Sequence, residues 1–142
     1  MKVNDICKIT EEIKKINSFS KKPYLNRDDD LIVGYGRNLN RIGITLQEAE
    51  LLLINEILEN KTRLKAIFSN YIDFNEDFQQ VLLLFCCLIG WGQFKKEKEI
   101  IEAVNNMDLN EIIRNIITTY WYRSNVVVGE TIIQKLKEIS EM

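Results

Sequence analysis

Histidine is absent from the 142-residue chain, and with it go the usual general base, proton shuttle and zinc ligand. Cysteine is scarce. Cys7, Cys86 and Cys87 are an odd number without paired spacing, which gives no disulfide framework and fits a reducing compartment. Cys86 and Cys87 stand inside an apolar run and are expected to act as small hydrophobes. Neither sign of charge dominates: 19 basic and 21 acidic residues leave a net charge of −2. A basic stripe for phosphate is therefore not expected, nucleic acid is not an expected partner, and no net positive charge is there to speed encounter with an anionic cell wall. Long apolar runs are also missing. The longest, Val81 to Trp91, falls far short of the ~20 residues that span a bilayer, so membrane insertion is not expected and a buried helix is. No secretory signal of roughly 7–15 continuous apolar residues lies within Met1 to Lys15, which points to the cytoplasm. The three adjacent acids Asp28, Asp29 and Asp30 are not the spaced pattern of a calcium loop, and neither a metal nor a cofactor is expected.

What is present is 46% hydrophobic content, enough for one domain with a real core. Ile6, Ile9, Ile13 and Ile16 recur at three and four residues among Lys and Glu, predicting an amphipathic first helix. Asn17 to Lys22 is small and polar, and Pro23, the only proline, disfavours helix at Lys22. Asn26 to Asp30 reads as a turn, and Leu31-Ile32-Val33 as the clearest strand of a short hairpin near Asn26 to Tyr35. Thr45-Leu46-Gln47-Glu48 fits a capping box that starts a long helix, with a break expected at Asn60-Lys61. Asn75 is expected to cap a central helix from about Phe78 to Leu88, apolar all round and so buried on every side. Asp108 caps a further helix over Ile112 to Ile117, and a last helix runs from about Val127 to Ile139.

One stretch carries more than secondary structure. Leu31-Ile32-Val33-Gly34-Tyr35-Gly36-Arg37-Asn38-Leu39 is followed at once by Gly43-Ile44-Thr45 and Glu48-Ala49-Glu50-Leu51-Leu52. It resembles the phage-type lysozymes, the endolysin muramidases that cut the glycan strands of bacterial cell wall. Lys22-Pro23-Tyr24-Leu25-Asn26 looks like the family's K-P-Y-x-D segment, Val81 to Gly90 falls at its buried central helix, and Trp121-Tyr122 is similar to its late S-x-W-Y signature. The family's downstream Arg falls on Val128. The resemblance implies a mainly α, α+β lysozyme-like domain over residues 1–142. A small hairpin lobe would cover about 18–58, and a helical lobe about 1–16 and 68–142.

In that family a catalytic Glu, an Asp and a Thr precede the Gly-x-Gly. Counting back from Gly34 at the family spacing places them at Asn17, Asn26 and Ile32. None of the three matches. Glycoside hydrolysis needs one carboxylic acid to protonate the leaving oxygen and a second carboxylate to activate water or stabilise the cation. Asn17 has no proton to give, Asn26 carries no charge, and Ile32 lacks the hydroxyl that in the family helps place water. Losing one positioned acid or base costs about 10²–10⁴ in rate, so a chain without all three should be close to inactive.

The resemblance then implies a pseudo-muramidase of phage or prophage origin, retained for binding a peptidoglycan fragment or a protein partner. Two alternatives stand beside it: an active muramidase with relocated acids, and an interaction or inhibitor module with no glycan role. Tyr35, Arg37 and Asn38 are the binding candidates, by stacking and hydrogen bonding to an acetylated sugar, with a purely structural role as their alternative. Asp28, Asp29 and Asp30 most simply form a solvated turn, and Glu11 and Glu12 exposed helix charges. Trp91 and Trp121 are expected in the core, and Lys95 to Glu99 at a solvated helix start.

Overall fold

A computed structural model describes residues 2–139; residue 1 and residues 140–142, which the expected lobes include, lie outside them. The described chain is mainly helical, with eight α-helices and one three-stranded antiparallel sheet, an α+β arrangement. It divides into two compact units, Met1–Leu51 and Leu52–Met142.

The first unit holds α1 (Val3–Ile16), β1 (Ser20–Leu25), β2 (Leu31–Gly34) and β3 (Arg37–Asn38), and the start of α2 (Leu46–Ile67). The isoleucine stripe forms a helix as its spacing predicts, yet no residue of α1 is buried. The sheet, in the order β1-β2-β3, begins at Ser20, so it is larger than the hairpin expected near Asn26 to Tyr35. Pro23 is tolerated because β1 is an edge strand whose free side needs no ladder donor. A register shift between Ser20 and Tyr24 lets Lys21, Lys22 and Pro23 arch away from regular pairing.

The polar stretch before Pro23 concealed that strand. Asn26 closes the β1–β2 turn, where its side-chain oxygen accepts the backbone N–H groups of Asp28 and Asp30 at 2.9 and 3.0 Å. The capping box at α2 is present in both directions. Glu48 N–H donates to the Thr45 hydroxyl at 3.1 Å, and Thr45 N–H donates to the Glu48 carboxylate at 2.9 Å.

In the second unit α2 runs unbroken through Asn60 and Lys61, against the expected interruption. Asn60 is only 1% exposed, but its polar atoms are satisfied. Its amide donates to the Cys87 sulfur at 3.3 Å and its oxygen accepts from Arg63 at 3.0 Å. Asn75 caps α3 (Glu76–Ile89) by accepting the Asp77 N–H at 2.8 Å. Helix α3 then stops at Gly90, where φ is +88°.

One face of α3 supplies the centre of the core, through Phe78, Val81, Leu82, Phe85, Cys86 and Ile89. Burial on every side is not found, because Leu84 and Leu88 are 38% and 45% exposed. Gln80, Leu84 and Leu88 recur at four-residue spacing and so share a face, opposite the one the aromatic core fills. An apolar residue favours burial but does not supply the neighbour that would bury it.

Four further helices follow closely: α4 (Trp91–Phe94), α5 (Lys98–Asn105), α6 (Leu109–Ile117) and α7 (Tyr120–Ser124). The last is α8 (Val126–Glu138). Asp108 caps α6 as expected, accepting the Glu111 N–H at 3.1 Å. The core gathers edge-packed rings, Phe74 on Phe78 at 5.2 Å and Phe85 on Trp121 at 5.3 Å. Trp91 and Trp121 pack against it, in line with their expected core role. The Cys86 thiol is fully buried, and burial pushes its pKa up to about 12, which makes it inert as a nucleophile. All three cysteines are free.

Candidate binding site on the sheet unit

The β2–β3 connection is a tight turn through Gly34, Tyr35 and Gly36, and both glycines take left-handed backbone with φ of +68° and +92°. At Gly36 the missing side chain has a second use. A Cβ there would lie 2.8 Å from the Asn17 amide nitrogen, so only glycine lets the residue after α1 approach the turn. Asn17 therefore sits beside Gly36.

Tyr35 projects from this turn next to Phe19, with ring centroids 5.5 Å apart and an interplanar angle of 49°. The Lys14 ammonium lies 5.5 Å from the Tyr35 ring centre. Both rings face solvent, Tyr35 44% and Phe19 63% exposed. Two exposed rings, an amide and a cation thus share one small surface. Phe19 was not anticipated; an aromatic isolated in a small polar stretch was the signal for it.

The other candidates separate. Tyr24, Ile32 and Asn38 are cross-strand partners and line one face of the sheet, whereas Val33 pairs with Arg37 on the other. Ile32 is buried within its row. Asn26 belongs to the turn, and no hydrogen bond among the described residues joins Asn17, Asn26 and Ile32 to one another. Arg37 and Asn38 therefore address opposite sides, and each has polar partners of its own.

Asn38 donates to Asp30 at 3.0 Å and accepts the Arg41 N–H at 2.9 Å, while the Arg41 side chain binds Asp30 at 2.6 Å. These bonds, the Asn38 one first and the Arg41 one second, hold the Asp30 carboxyl below the usual carboxylate range. Arg37 meets Glu48 and donates to the Gly43 carbonyl at 3.0 Å. The Arg37 bond and then the Thr45 N–H pull the Glu48 pKa down to about 2, and Glu48 in turn raises that of Arg37. Both carboxyls are thus held ionised at neutral pH, the opposite of what a general acid requires.

Asp28 lies 3.8 Å from Arg41, and Glu11 and Glu12 pair loosely with Lys14 and Lys15 on the exposed face of α1. Among the described residues no group of three His, Cys, Asp or Glu side chains is placed to hold a metal ion. No helix among them is long and apolar enough to cross a membrane. Neither a protein-family model nor a curated protein matches the chain.

Proposed function

We propose that this chain is a phage lysozyme-like protein that no longer hydrolyses glycan and is retained for binding, its ligand a cell-wall glycan fragment. The observation that carries this reading is the paired state of Glu48 and Asp30, the acids most tightly built into the sheet unit. A relocated-acid muramidase needs a carboxyl that keeps its proton near neutrality, which requires an apolar pocket rather than an arginine. The family-equivalent positions Asn17, Asn26 and Ile32 offer none.

What the surface does offer suits a sugar. The exposed faces of Phe19 and Tyr35 can lie against the apolar side of a pyranose ring, and the Asn17 amide beside them can bond an acetamido group. Arg37 and Asn38 then act as supports for the turn and for the start of α2. The free cysteines fit a cytoplasmic setting, in a host carrying the phage or prophage.

Titration of the labelled protein with chitooligosaccharides, followed by amide NMR, tests the reading. Shifts are expected at Asn17, Phe19 and Tyr35, and their loss in Tyr35→Ala. Silence up to millimolar sugar would overturn glycan binding and leave a protein partner as the ligand.

A further inference from the structure

We draw no further inference here: the strongest candidate, the apolar groove between α2 and α3 lined by Leu53, Ile57, Leu83, Leu84 and Leu88 in the second unit, carries nothing because nothing in the structure shows what covers it.

Discussion

Arg37 and Glu48 clasp each other through two parallel contacts, Nη1 to Oε1 and Nη2 to Oε2, each 2.8 Å long. The same carboxylate accepts the Thr45 N–H, so one side chain closes the capping box and fixes the guanidinium against the loop at Gly43. A residue that sequence offers for ligand binding thus joins the start of α2 to the sheet turn.

This relationship sets an acid dependence. The Glu48 pKa is depressed to about 2, so its contribution to stability is complete above its unfolded value of about 4.5 and is lost as pH falls from there towards about 2. Carboxyl NMR should find the Glu48 midpoint near the lower value. Glu48→Gln should flatten the acid limb of the thermal-unfolding profile over the same window. An unchanged acid limb would mean that the pair contributes nothing.

Thr45 offers a charge-free view of the same device. Thr45→Ala removes the hydroxyl that accepts the Glu48 N–H and should cost about 1 kcal/mol in denaturant unfolding. Thr45→Asp, which keeps an acceptor there, should recover most of it. Equal losses in both variants would show that the cap is not the cause.

Asn60 is a buried polar residue in the middle of the unbroken α2. Asn60→Ala removes its bonds to Cys87 and Arg63 and opens space in a packed site, so a loss of about 1–3 kcal/mol is expected. A urea midpoint equal to that of the parent chain would refute it.

At Gly129 two effects compete. Alanine in a helix interior normally stabilises by about 0.5–1 kcal/mol over glycine. Here its Cβ would lie 2.5 Å from the Tyr122 ring, and that overlap costs about 1–3 kcal/mol. Overpacking should win, and Gly129→Ala should destabilise while disturbing the Tyr122–Glu130 hydrogen bond. In a Tyr122→Ala background the same change should stabilise. Destabilisation in both backgrounds would contradict the steric explanation.

Local rules carried the helix starts, because each cap is written within four residues: Thr45 with Glu48, Asn75, Asp108. They did not carry partners remote in sequence. Nothing near Asn60 reveals that Cys87, 27 residues on, satisfies its amide. Strand β1 was obscured because Lys21-Lys22-Pro23 has no apolar alternation to announce it. At the candidate site Tyr35 was legible from its two flanking glycines. Arg37 and Asn38, adjacent in β3, point to opposite faces and find different partners, Glu48 and Asp30, which their adjacency in sequence does not announce.

Under the proposed reading, Asp30 and Glu48, both held ionised, are not available to protonate a glycosidic oxygen, the first step of hydrolysis. The most direct measurement is release of reducing ends from purified peptidoglycan by the unmodified chain, against a buffer blank, over the pH range in which it stays folded. No release above the blank is predicted at any pH. Reducing-end release that grows with protein concentration and disappears on changing one of Asp28, Asp29, Asp30, Glu11, Glu12 or Glu48 to its amide would contradict that claim and identify the working acid.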